Sequence, residues 1–357
     1  MDHRVRREAL TRTIDDNDVD AVLVTRLPNV RYLTGFTGSN AQIVLSRSES
    51  VFFTDGRYTE QSRLEVPDLE RITYLGAFGE PLGTACGRLG IARLGFEAHD
   101  VTVADRDELQ RRLGSVELVP VGKAVERLRW VKDDDELQML REAQACTDRA
   151  FEDILDTLAV GMTERQVSLE LEHAMRRAGA DGLSFESIVA FGENAAEPHH
   201  QPSHRVLDEG DVITMDMGAL YGGYHADFTR TIAFGQPAPE LVKIHDVVRQ
   251  AQQAGFDAVR AGITGGEVDS AARRVVEDAG YGDRFTHGLG HGVGLEIHEG
   301  PNFARDGEDV LPVGAVMTIE PGIYVPGLGG VRIEDMVEVE EDGCSVVGSS
   351  IRELVEL

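Results

Sequence analysis

DMGALYGGYHAD, residues Asp216 to Asp227, follows the apolar-rich run DVITM and sets one carboxylate on each side of a Gly-Gly pair. A two-residue turn at Gly222-Gly223, or at Tyr221-Gly222, needs the positive φ that glycine supplies, and the stretch therefore predicts a β-hairpin. Across an even loop, cross-strand partners have numbers that sum to an odd value, and 216 and 227 do so. Both carboxylates then project from one face, either directly opposite at about 5 Å or on the diagonal at roughly 7–8 Å. Bare carboxylates at that range raise each other's pKa or push the strands apart, whereas a divalent cation between them removes the conflict.

Further along, HGLGHGVGLEIHEGP carries His287, His291 and His298. A helical H-x-x-x-H zinc site is disfavoured by Gly288, Gly290, Gly292 and Gly294, so the segment reads as a turn entering a strand. VMTIEPGIY holds Glu320 and GGVRIEDMVEV holds Glu334, each an acid where a strand would place a core residue. A buried unpaired carboxylate costs several kcal/mol, so these acids call for a cation or strong donors. An even connection would turn the two glutamates to opposite faces; they meet only if PGIYVPGLGG closes as an odd loop or carries a bulge. Asp216, Asp227, His291, Glu320 and Glu334 form the candidate ligand set. Four carboxylates balance two divalent ions, and oxygen-rich donors without thiolate favour Mn(II), with Co(II) and Zn(II) as alternatives.

The 357 residues exceed one ordinary core, which predicts two domains. In roughly the first 120 residues, β-rich runs (VDAVLVT, AQIVLS, SVFFTDG, IARLGFEA, VELVPV) alternate with helix-compatible stretches such as Arg57–Glu65 and Ala104–Leu113. An amphipathic helix follows Asp133–Asp135, with an apolar stripe from Leu137 to Leu158, so the boundary falls near Val121–Arg129 and the domains are 1–122 and 123–357. GMTERQVSLELEHAMRRAG (161–179) and GITGGEVDSAARRVVEDAG (262–280) align without a gap. Each opens with a capping box, Thr163 to Gln166 and Thr264 to Glu267, and ends in glycine. The second domain thus reads as two related halves, helices outside one antiparallel sheet.

A net charge of −28 repels nucleic acid and anionic membrane surfaces, which excludes both as partners. No apolar run approaches a membrane span, and MDHRVRREAL lacks the apolar stretch of a secretory signal. Cys86, Cys146 and Cys344 are scattered and odd in number, as expected of reduced thiols in a cytoplasmic protein. Basic residues are almost all arginine, the lysines being Lys123, Lys132 and Lys243. That bias fits a salty cytosol or a skewed base composition equally.

DMGALYGGYHADFTRT, HGLGHGVGLEIHEGP and TIEPGIYVPGLGGVRIED together resemble the pita-bread metallopeptidases, in their proline-specific branch of aminopeptidase P and Xaa-Pro dipeptidase (prolidase). PNVRYLTGFTGSNA (28–41) and TDGRYTEQ (54–61) are similar to the creatinase/prolidase N-terminal domain, so the resemblance covers nearly the whole chain. It implies an α/β N-terminal domain plus an α+β pita-bread catalytic domain with a pseudo-two-fold, curved antiparallel sheet. It further implies Asp216 as a terminal ligand of one metal, His291 as a ligand of the other, and Asp227 and Glu334 as bridges. Glu320 would bind one metal and serve as general base and then general acid. His199, with His200 as the alternative, and His298 would meet the substrate carbonyl, the oxyanion and the proline ring; His287 would support the metal shell. Arg332 would lock the site or bind substrate.

The implied activity is metal-dependent hydrolysis of the Xaa-Pro bond at peptide N-termini, an aminopeptidase, with Xaa-Pro dipeptidase as the alternative. A non-catalytic peptidase-like binding protein is the less favoured third reading. Dipeptidases of this branch often carry arginine after the proline of H-E-x-P to grip the dipeptide carboxylate; Asn302 stands there, which favours the aminopeptidase. The resemblance also implies a homodimer in which the Gly35–Asn40 loop helps close the partner's site.

Overall fold

The apolar runs of the N-terminal part form strands of one mixed sheet in a computed structural model that describes residues 1–357. In chain order its elements are α1 His3–Asp16, β1 Ala21–Val24, α2 Leu27–Thr34, β2 Ala41–Ser46, β3 Ser50–Asp55 and α3 Thr59–Glu65. They continue as β4 Glu70–Tyr74, α4 Gly79–Leu89, β5 Arg93–Glu97, α5 Val103–Leu113, β6 Glu117–Val121 and α6 Ala124–Arg129. The strand order is β4-β3-β2-β1-β5-β6, antiparallel only where β2 meets β1 and β3. Leu23, Val44, Phe53 and Leu94 fill its core against Leu82, Ala85 and Cys86 of α4.

Two elements of this unit carry no clear sequence signal. Strand β4 reads ERITY, and its charged leading residues mask an edge strand. Helix α4 contains Gly79, Gly83 and Gly87, each costing about 1 kcal/mol against alanine. Its glycines permit close approach: a Cβ on Gly79 would lie 2.4 Å from Arg112 Cδ of α5. Tertiary burial of its apolar face overrides the propensity.

Contacts divide the chain into Met1–Arg129 and Trp130–Leu357. The division comes after α6 because Val125 and Arg129 are buried with the first unit, where Arg129 Nη1 donates to Asn29 Oδ1 at 2.7 Å.

The second unit begins with α7 Asp134–Leu155, whose N-cap Asp133 forms a capping box with Glu136. Then come α8 Glu164–Arg177, β7 Gly182–Leu183, β8 Ile188–Phe191, β9 Val212–Met217, β10 Ala219–Tyr221, β11 Tyr224–His225 and β12 Phe228–Ala233. The pattern repeats with α9 Pro239–Ala258, α10 Gly265–Asp278, β13 Gly290–Gly292, β14 Glu299–Phe303, β15 Val316–Ile319 and β16 Gly322–Val325. Strands β17 Gly329–Arg332, β18 Asp335–Val339 and β19 Cys344–Val347 complete it. Both predicted capping boxes are present, at Thr163 and Thr264, and Gly179 and Gly280 follow the helices with φ of 113° and 87°. Each half has its own apolar core. Phe151, Val167 and Leu171 pack on Ile213, Met215 and Phe228; Ile244, Val248 and Val268 pack on Met317, Ile319 and Val337.

The expected antiparallel sheet is laid out as ladders, not all of them joined by continuous backbone pairing. Between β12 and β17 the backbones are stitched through a hydroxyl instead. Thr231 Oγ accepts from Arg332 N at 3.1 Å and donates to Arg332 O at 3.0 Å. One isolated bridge, Thr229 to Glu334, joins the halves at their seam. None of the helices is long and apolar enough to cross a membrane, and all three cysteines are free.

His245, on the buried face of α9, is 5% exposed, and burial, aided by Arg249, pushes its pKa down to about 4. In the unfolded chain it titrates near 6.5. The unfolded state therefore binds more protons between those values, and stability is full above pH 6.5 and falls as pH drops towards 4. A His245→Gln variant is expected to lose up to about 3 kcal/mol of that pH dependence. Urea unfolding at a series of pH values checks it; parallel curves for both proteins would rule this histidine out.

Candidate metal centre

The hairpin closes at Gly222-Gly223, whose φ angles are 56° and 82°, between the paired Tyr221 and Tyr224. The register continues to Asp216 opposite Thr229, which puts Asp227 on the diagonal from Asp216 rather than across from it. Glutamates 320 and 334 also meet. Ile319 pairs with Asp335 and Gly322 with Arg332, and the connection between Val325 and Gly329 is Pro326, Gly327 and Leu328. That odd loop gives the even register sum that turns Glu320 and Glu334 to the same side.

His291 arrives from β13. Its Nδ1 donates to Gly292 O at 3.1 Å, which leaves the Nε2 lone pair facing Asp227 Oδ2 at 3.5 Å and Glu320 Oε1 at 3.4 Å. Thr318 Oγ accepts from His291 N at 3.0 Å and donates to Glu320 Oε1 at 3.2 Å, tying two candidate ligands together. Thr229 Oγ donates to Glu334 Oε2 at 2.6 Å. Asp227, His291 and Glu334 each offer a donor atom within 4.8 Å of the others. All five candidate ligands line one cavity of about 420 Å³.

Left alone, this cluster opposes its own ionisation. Burial, then Asp216 and Glu320, raise Asp227 well above the usual carboxylate range. Burial, then Asp227, Glu320 and Asp216, do the same to Glu334. Burial and the Asp216 charge push Glu320 up to about 8, while Arg332 pulls against them. His291 is held down at about 4 by burial and by His298, and so is neutral. Asp216 Oδ1 is buried with no hydrogen-bond partner. An orphaned carboxylate oxygen beside the buried Asp227 and Glu334, the half-buried Glu320 and a neutral imidazole fits a site for hard divalent cations.

The surrounding residues separate into two groups. His199, His287, His298 and Arg332 line the cavity, whose apolar wall includes Phe185, Ile188 and Ile297. His200 turns away to Glu164 and Glu197. His298 packs edge-on against His291 with ring centroids 4.3 Å apart. The Arg332 guanidinium is fully engaged: it donates to Asp216 Oδ2 at 2.6 Å, Thr229 Oγ at 3.1 Å, Tyr324 Oη at 3.0 Å and Pro198 O at 3.3 Å. Such contacts lock the guanidinium in place.

Tyr324 is a site residue that the sequence reading passed over. Its hydroxyl accepts from Arg332 and donates to His287 Nε2 at 2.8 Å, while His287 Nδ1 donates to Gly288 O at 2.8 Å. In GIYV the tyrosine looks like a core aromatic. The available signal was Gly322, where a Cβ would sit 2.3 Å from that hydroxyl.

Residues 138–341 match the model of metallopeptidase family M24, and residues 6–131 match that of the creatinase/prolidase N-terminal domain. The chain belongs to metallopeptidase family M24. This M24 metallopeptidase is 34% identical to an Xaa-Pro dipeptidase of Pyrococcus horikoshii, over 99% of both chains. Among solved structures, an Xaa-Pro dipeptidase from Bacillus anthracis superimposes with a TM-score of 0.97 at 39% identity, covering 100% of both chains. An X-Pro aminopeptidase from Thermotoga maritima superimposes with a TM-score of 0.90 at 35% identity, covering 97% of this chain and 100% of the other. The M24 chain is thus a metal-dependent peptidase of the proline-specific pita-bread branch, with the α/β N-terminal domain and α+β catalytic domain expected from its motifs.

Proposed function

We propose that this M24 metallopeptidase is an Xaa-Pro dipeptidase holding two divalent cations, Mn(II) in preference to Co(II) or Zn(II). The convergence of Asp216, Asp227, His291, Glu320 and Glu334 on one cavity carries the reading. Asp216, Asp227, His291, Glu320 and Glu334 are the residues that would hold them. Bound there, divalent cations would supply polarisation of the scissile carbonyl and acidification of water.

Glu320 removes the proton of the attacking water and then delivers it to the departing proline nitrogen. His199 and His298 hold the carbonyl oxygen and the pyrrolidine ring, and His287, through Tyr324, keeps Arg332 aligned on Asp216. A bond before proline has fixed φ and no N–H, so peptidases that grip that N–H in a β-ladder pass it over. Recognition through the free amine and a ring-shaped pocket overcomes this. A cytoplasmic homodimer in which Gly35–Asn40 helps close the partner's site completes the proposal.

The names of the Pyrococcus and Bacillus relatives support the dipeptidase over the aminopeptidase that Asn302 suggests. An Xaa-Pro aminopeptidase remains the second reading on a specific observation. The only arginine or lysine lining the cavity is Arg332, already bound to Asp216, so no guanidinium or ammonium there is free to pair with a dipeptide carboxylate. Mn(II)-loaded protein offered Xaa-Pro and Xaa-Pro-Yaa side by side separates the two. A kcat/KM at least about tenfold higher on the dipeptide, or about 1.4 kcal/mol, is expected. Equal or faster cleavage of the tripeptide would establish the second reading, and inertness towards both would remove proline specificity.

A further inference from the structure

His200 has no place in the chemistry above, yet it sits beside His199 and is bound from two sides. Its Nε2 lies 2.9 Å from Glu164 Oε2 and its Nδ1 2.9 Å from Glu197 Oε2. Glu164, at the start of α8, has a fully buried side chain. Its Oε1 accepts from Phe191 N at 2.8 Å and Asn194 Nδ2 at 2.9 Å. Its Oε2 also accepts from Ser203 N at 2.9 Å and Ser203 Oγ at 2.6 Å.

Every one of these donors belongs to residues 191–203, the segment that carries Pro198 and His199 into the cavity. A carboxylate buried this completely costs several kcal/mol unless its lone pairs are filled. The segment is therefore confined to the one shape that fills them. Further anchors are Pro198 O, which accepts from Arg332 Nη1 at 3.3 Å, and Pro202 O and Ser203 O, which accept from Arg165 Nε at 3.1 Å and Arg165 N at 3.2 Å.

We propose that Glu164 and His200 form a latch that positions His199 in the substrate cavity, His200 acting on the reaction only through its neighbour. The proposal rests on the reading that His199 contacts the peptide. Burial opposes a charge on His200, but the Glu197 and Glu164 carboxylates outweigh it and raise its pKa, which favours the ring form that can donate to both.

The test is a double-mutant cycle. His200→Ala is expected to lower kcat/KM on Xaa-Pro by roughly 10²-fold, the cost of a displaced catalytic group. In a His199→Ala background the same change is expected to alter kcat/KM by less than about twofold, because the group it positions is gone. Equal losses in both backgrounds would mean a general structural role and overturn the latch. Hydrogen exchange on the metal-loaded His200→Ala protein supplies a readout that needs no activity, with acceleration confined to residues 191–203. Acceleration spread over the catalytic unit overturns the proposal. Should His200→Ala not fold, Ser203→Ala removes a single hydroxyl from the same carboxylate and is put through the same cycle. A wild-type protein inert towards Xaa-Pro would refute the functional reading, and the exchange pattern would still decide the latch.

Discussion

An Asp227→Asn variant is expected to lose bound metal and most of its peptidase activity, yet to be the more stable protein once metal is stripped from both. Asp227 is 5% exposed and lies on the diagonal from Asp216, with Glu320 and Glu334 in the same cavity. Asparagine keeps the shape but removes one charge and cannot serve two cations. Losing several kcal/mol of transition-state stabilisation corresponds to a fall in kcat of roughly 10²–10⁴-fold. In chelator the sign reverses. The wild type must bury an acid whose ionisation is opposed by desolvation and by Asp216 and Glu320, and the variant need not. A gain of about 1–3 kcal/mol in the metal-free state is expected. Metal content by plasma emission and urea unfolding with and without chelator check the two halves separately. A variant that keeps wild-type metal and rate would remove Asp227 from the centre.

Replacing Glu320 with glutamine is expected to produce a different signature: a fall in kcat of roughly 10²–10⁴-fold with KM little changed. Glutamine retains one oxygen that can face a cation but cannot accept and release a proton. Because Glu320 Oε1 is held by Thr318 Oγ at 3.2 Å, the substituted side chain has a fixed partner and the site should keep its shape. Substrate binding, which depends on His199, His298 and the apolar wall, should persist. Steady-state kinetics beside metal content decides the matter. If the whole loss appeared in KM, or if metal vanished in parallel with rate, Glu320 would be a ligand and not a proton carrier.

Much of this architecture was readable because it is set by short-range chemistry. The Thr163 and Thr264 boxes declare their helices through reciprocal bonds spanning a single turn, so the internal repeat was visible. Gly222 and Gly223 declare a turn through φ angles that other residues resist. Strand β4 and helix α4 were not readable, because what stabilises them is burial against the rest of their unit and not their own composition. The preference for an aminopeptidase rested on one position, Asn302. That residue is exposed on β14 opposite His291, outside the residues that line the cavity, so it carried less weight than whole-chain likeness to named dipeptidases.

The candidate ligands show where local information ends. Their identities, and the parity that puts Asp216 and Asp227 on one face, follow from the order of residues, since a hairpin's register is settled by its turn. Whether Glu320 would meet Glu334 hung on a loop whose length parity no local rule dictates; the fold closed it at Pro326, Gly327 and Leu328. Which of His199 and His200 enters the cavity was likewise open, and Glu164, distant in sequence, settles it. The displaced ionisation of Glu320, His291 and their neighbours exists only in the folded chain, because it comes from removing water from around charges that long-range packing has crowded together.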